Sequence, residues 1–167
     1  MFGSIAWATV IAAISALIQS TLLSRFAIFH VVPDLALGVL VYSAYINGSV
    51  VGQSVGFASG ILMDFISAAP LGFNALVRTL IGAAAGLLKG TFFLDRIILP
   101  VVLCAVATLL KAAIVGILHV LFAGAVPAYS LSTMELPIEV AYNAIGAPFL
   151  FAFLNLFRRS LRPRMES

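Results

Sequence analysis

Apolar residues gather in six long runs, near Phe2–Leu23, Asp34–Ile46, Val50–Ile66, Leu71–Lys89, Ile97–Phe122 and Leu136–Phe157. Runs of this length with few charges have the signature of helices that cross a bilayer. The pattern predicts an all-α integral membrane protein, a compact bundle of six transmembrane helices in a single domain over residues 1–167. The second run is short for a crossing and can be tilted, partial or re-entrant, so five spans are the alternative. Pro33-Asp34 marks its start: proline ends the preceding segment, and an aspartate can cap the free amides of a first helical turn. Asn47-Gly48 ends it and turns the chain.

Composition agrees. The chain of 167 residues is 63% hydrophobic and only 9% charged, with a mean hydropathy of +1.19. Soluble domains carry charge on about a quarter of their residues, so a water-soluble globule is excluded, and such hydrophobicity also excludes disorder. The lone cysteine, Cys104, lies in an apolar run and leaves no intrachain disulfide. The first residues lack the basic region and cleavage-like site of a removable signal peptide.

The uneven distribution of charge orients the bundle. Arg158, Arg159, Arg162, Arg164 and Glu166 crowd the last ten residues and form a basic tail over 158–167. Because that tail directly follows an apolar span, it reads as a topology signal, with membrane lipids as a contact, and not as a nucleic-acid footprint. Six helices then place both termini in the cytoplasm. Lys89, Arg96 and the four tail arginines collect inside, and Arg25 alone lies outside. The polar stretch Gly124–Pro137 becomes an outer loop, either a plain connector or a contact surface.

Small residues recur four apart in three rows: Ala8, Ala12 and Ala16, extended by Ser20; Gly48, Gly52, Gly56 and Gly60; and Gly82, Gly86 and Gly90. In lipid such rows let helix backbones approach closely. The glycine rows predict packing inside the bundle, while the alanine row suits either internal packing or a partner. Asp64 continues one glycine row and Arg78 precedes the other. An antiparallel third and fourth helix would put Arg78 level with Gly60, from where it could reach Asp64. The expectation is a polar lock of Asp64, Arg78 and Asn74, since an unpaired charge in the membrane costs about 2.5–3.5 kcal/mol. Lys111 near the middle of the fifth span needs a partner or a water-filled cavity. Glu139 and Asn143 share a helix face, and His119 is within reach of Glu139. These four suit a cavity, a partner groove or interhelical hydrogen bonds.

Catalytic readings are weak. Gly56-Phe57-Ala58-Ser59-Gly60 faintly resembles the serine motif of rhomboid-type proteases, but Ser59 falls in a packing ridge and only His119 offers a base. Two distant histidines and one cysteine give no metal-ligand spacing, and no cofactor motif is present. Transport is the stronger rival. Lys111, Glu139 and Asn143 could hold an anionic or zwitterionic vitamin, and the alanine row resembles the docking motif of substrate-binding subunits of energy-coupling-factor transporters.

The run Val32-Pro33-Asp34-Leu35, then Gly52, Gly56-Phe57, Gly60 and Asp64, then Pro70-Leu71-Gly72-Phe73-Asn74-Ala75-Leu76, resembles the rod shape-determining MreD family. That family has an early Pro-Asp-Leu, a Gly-Phe-x-x-Gly-x-x-x-Asp segment and a Gly-x-Asn-x-Leu segment, in this order. The resemblance implies a non-enzymatic component of the bacterial elongasome in the cytoplasmic (inner) membrane, supporting rod shape and peripheral peptidoglycan synthesis. It implies binding to MreC, and through it an influence on RodA, a class B penicillin-binding protein and MreB. It also implies a fold similar to the energy-coupling-factor substrate-binding subunits, with Pro33, Asp34 and the Gly52–Asp64 residues setting the bundle's shape.

Overall fold

A computed structural model describes residues 2–22, 25, 31–67, 69–91, 97–122 and 134–161, excluding the side chains of 159 and 160. The helices are α1 (Phe2–Thr21), α2 (Leu35–Asn47), α3 (Ser49–Ile66), α4 (Phe73–Leu87), α5 (Ile98–Leu121), α6 (Glu135–Leu156) and a single-turn α7 (Arg158–Leu161). No strand occurs among the described residues. α1, α3, α5 and α6 are long and apolar enough to cross a membrane. Arg96, Arg162, Arg164, Glu166 and the 124–133 part of the expected outer loop lie outside the described residues.

The short second run forms a helix of 13 residues, α2. At 1.5 Å per residue it is about 20 Å long, against a hydrocarbon thickness of about 30 Å. Its position compensates for its length. Every residue from Ala36 to Ala44 is buried, and α1, α3, α4, α5 and α6 all pack against it. A helix apolar on all sides belongs in the interior, so α2 is the post around which the bundle is built. Tyr42 adds an edge-on ring contact to Phe151 of α6, at 5.1 Å between centroids.

Gly48 turns α2 directly into α3 at a positive φ of 101°, a conformation that favours glycine. α3 and α4 then form the expected hairpin, with the two glycine rows facing each other. A methyl group on Gly52 would overlap the Gly82 carbonyl, one on Gly56 the Arg78 carbonyl, and one on Gly60 the Ala75 backbone. Gly86 meets the backbone of Ser49 in the same way. Gly52, Gly56 and Gly60 on α3 and Gly82 and Gly86 on α4 are internal packing positions, whereas Gly90 lies beyond the end of α4, exposed, with nothing within 4 Å of an added methyl group.

The alanine row is internal as well. Ala8, Ala12 and Ala16 are all buried on a helix that packs against α2 and α3. They are therefore covered by this chain's own helices and do not offer a docking ridge. At one end of the bundle Lys89 Nζ donates to the Asn47 carbonyl at 3.1 Å, and Asn47 Nδ2 donates to the Leu161 carbonyl at 2.7 Å. α7 packs on α1 with Leu161 fully buried. The first four residues of the basic tail are thus part of the folded bundle, and α1 and α7 are joined there.

Candidate functional site

Asp34 performs the local task expected of it: its Oδ1 accepts from the Leu37 amide at 2.9 Å and caps α2. The same carboxylate also has two partners distant in sequence. Arg78 Nη2 of α4 donates to Oδ1 at 3.1 Å, and Lys111 Nζ of α5 donates to Oδ2 at 2.9 Å. Lys111 is shared, because it also donates to Glu139 Oε1 of α6 at 2.7 Å. Around this chain of charges the backbone is satisfied by amides from other helices. The Asp34 N–H donates to Asn143 Oδ1 at 2.7 Å, and the Leu35 N–H donates to Gln19 Oε1 of α1 at 3.1 Å. Asn143 Nδ2 in turn donates to Thr108 Oγ1 at 2.9 Å, and that hydroxyl donates to the Cys104 carbonyl. Asp34 thereby fastens the head of α2 to α4, α5 and α6, and the neighbouring Leu35 amide fastens it to α1.

Two acids and two bases make the cluster formally neutral, which is what a low-dielectric interior demands. Asp34, Arg78, Glu139 and Asn143 are each at most 7% exposed. The Lys111 side chain retains 24% exposure because it borders a cavity of about 240 Å³ lined with Gln19, Val31, Asp34, Glu135 and Glu139. Lys111 thus has both the partner and the polar cavity that its mid-span position requires. His119 lies two turns further along α5 and is half-buried.

The expected Asp64–Arg78 lock is not what the structure contains. Arg78 lies opposite Gly56, one turn from the Gly60 level the antiparallel estimate assigned to it, and its side chain goes to Asp34. Asp64 instead accepts backbone amides where the chain enters α4: Gly72 N–H at 2.9 Å, Asn74 N–H at 2.8 Å and Ala75 N–H at 3.3 Å. The first amides of a helix lack intrahelical partners and carry the positive end of its dipole, so a nearby carboxylate is neutralised without an arginine. Asn74 does join Asp64, but through its main chain, and its side-chain Nδ2 donates to Ser67 Oγ at 3.1 Å. Gly72, with φ at +91°, shapes this turn. The hairpin therefore has a carboxylate cap at its tip, and Arg78 is free to serve the Asp34 cluster.

The carboxylates of the cluster and the Ser59 hydroxyl are all held in contacts within the bundle. Both Asp34 oxygens are engaged, and Glu139 shares the Lys111 ammonium. Ser59 is buried in the hairpin with its hydroxyl on the Gly56 carbonyl of its own helix. Among the described residues no three His, Cys, Asp or Glu side chains are placed to hold a metal ion.

An all-helical protein with four helices long and apolar enough to cross a membrane and a charge-fastened interior is the class these features define. The family model described as rod shape-determining protein MreD matches residues 3–160, nearly the whole chain, and the chain belongs to that family. Neither the curated proteins nor the solved structures provide a match.

Proposed function

We propose that the chain is a non-enzymatic scaffold of the bacterial elongasome in the inner membrane, binding MreC and supporting rod shape and peripheral peptidoglycan synthesis. Family membership across residues 3–160 carries this reading, and a family of shape-determining components fits a bundle built for rigidity. Through MreC it would influence RodA, a class B penicillin-binding protein and MreB. Both termini face the cytoplasm in this proposal. The joining of α1 to α7 at one end supports that, as do Lys89 and Arg158 at the same end. Detergent co-purification with the MreC-like protein of the same cell, together with depletion of this chain, tests the reading. A stable complex and loss of rod shape are expected; no complex and normal rods would refute it.

One observation favours a second reading, a substrate-binding subunit of a vitamin transporter sharing the energy-coupling-factor fold. The cavity beside Lys111 has the polar lining that a zwitterion would use. Thermal stabilisation of the purified chain by a vitamin would select this alternative.

A further inference from the structure

At the end of the bundle remote from Asp34, α5 and α6 leave a groove against α2. Its volume is about 390 Å³, within the range of small-ligand pockets. Ile46, Leu99, Pro100 and Phe151 give it apolar walls, while Tyr45, Asn155 and Arg158 supply its polar atoms. α5 and α6 are tied at the level of Thr108–Asn143 and Lys111–Glu139, and these ties lie toward the other end of α5. Arg158 is exposed and has no hydrogen-bond or ion-pair partner among the described residues. Leu99 and Pro100, in the first turn of α5, place the positive end of a 24-residue helix at the same groove. The described acidic side chains, Asp34, Asp64, Glu135 and Glu139, all belong to the opposite half of the bundle.

We propose that this groove seats an anionic phospholipid, with the headgroup phosphate at Arg158 and an acyl chain along Leu99, Ile46 and Phe151. An apolar slot ending in an arginine and a helix N-terminus matches a molecule that is apolar along its length and anionic at its head. A neutral or zwitterionic lipid would fill the slot equally well and lose the charge complement. The occupant is a lipid because the groove is flanked by exposed Ala152 and Ile98 on two helices that are long and apolar enough to cross a membrane. The site is separate from the Asp34 cluster and does not depend on MreC binding.

Native mass spectrometry of the full chain, released from mild detergent after incubation with equal phosphatidylglycerol and phosphatidylcholine of one chain length, tests the proposal. Retention of phosphatidylglycerol above phosphatidylcholine is expected. Arg158→Gln should reduce the retained phosphatidylglycerol about fivefold, the effect of one arginine near a lipid headgroup. Ala152→Trp, at an exposed wall position, should block both lipids. Lys89→Ala lies at the same end outside the groove and should leave retention unchanged. Equal retention of the two lipids would overturn the proposal, as would an effect of Lys89→Ala as large as that of Arg158→Gln. A dimer that Ala152→Trp dissolves without changing lipid retention would assign the groove to a second copy, and would equally overturn it.

Discussion

Replacing Asp34 by asparagine keeps the size of the side chain and an oxygen for the α2 cap, but removes the charge on which two cations converge. At the observed 3.1 Å to Arg78 and 2.9 Å to Lys111, each unit pair is worth about 5 kcal/mol at an effective dielectric of about 20, before desolvation is subtracted. Breaking a buried pair by removing one partner costs about 3–5 kcal/mol, mostly because the other charge is left uncompensated. Asp34→Asn is therefore expected to cost about 4 kcal/mol. Arg78→Met should cost about 3 kcal/mol, since Asp34 would still hold Lys111. The double variant strands neither charge: Lys111 keeps Glu139, and the cluster is neutral again. Its cost should lie near that of either single change, a coupling of about 3 kcal/mol, well above the average of about 0.6 kcal/mol for interhelical hydrogen bonds in membranes. Reversible unfolding of the four proteins in mixed micelles measures this coupling. The parallel cycle of Asp64→Ala with Arg78→Met should be additive to within about 0.5 kcal/mol, because those groups share no partner. Additivity in the Asp34 cycle, or strong coupling in the Asp64 cycle, would refute the assignment.

Other perturbations separate the hairpin from the cluster. Gly56→Ala drives a methyl into the Arg78 carbonyl and should destabilise by about 1–3 kcal/mol in the same unfolding assay. Gly116→Ala meets nothing within 4 Å and should be neutral or stabilising by up to about 1 kcal/mol. Asp64→Ala strips three amides at the start of α4 of their acceptor. It should cost about 1–3 kcal/mol, and hydrogen exchange should show faster opening of Asn74 and Ala75. Lys111→Met leaves Asp34 and Glu139 short of a cation and should lower the melting temperature, with partial recovery on adding Glu139→Gln.

Local signals in the sequence survived well. Apolar length placed the helices to within a few residues, and the doubtful second run differs by one residue at each end, Leu35–Asn47 in place of Asp34–Ile46. The glycine rows were legible because close approach of two backbones leaves a spacing in each. Glu139 and Asn143, four residues apart on α6, both turn toward α5. Long-range partner choice was the part that stayed hidden. Asp34 reads as a complete local cap, and nothing near it announces residues 44 and 77 positions away. Asp64 looked in need of a cation because the amides that satisfy it carry no side-chain signature. One clue was available: a helix start has four free amides, so Asp64 near the start of α4 could be compensated by backbone alone. Asp34 and Glu139 would then have remained to be shared between Arg78 and Lys111.

The separation in sequence between Asp34 and its counterions has a consequence for biogenesis. The chain is made from the N-terminus at about 5–20 residues per second, so Asp34 reaches the membrane roughly 2–9 s before Arg78, which lies 44 residues later. Lys111 follows, and Glu139 emerges another 28 residues on. Until α4 arrives, the nascent α1–α3 segment holds a carboxylate that caps α2 but whose two cations have not yet been made. The cluster of two acids and two bases is thus complete only when the last long helix delivers Glu139, the second partner of Lys111.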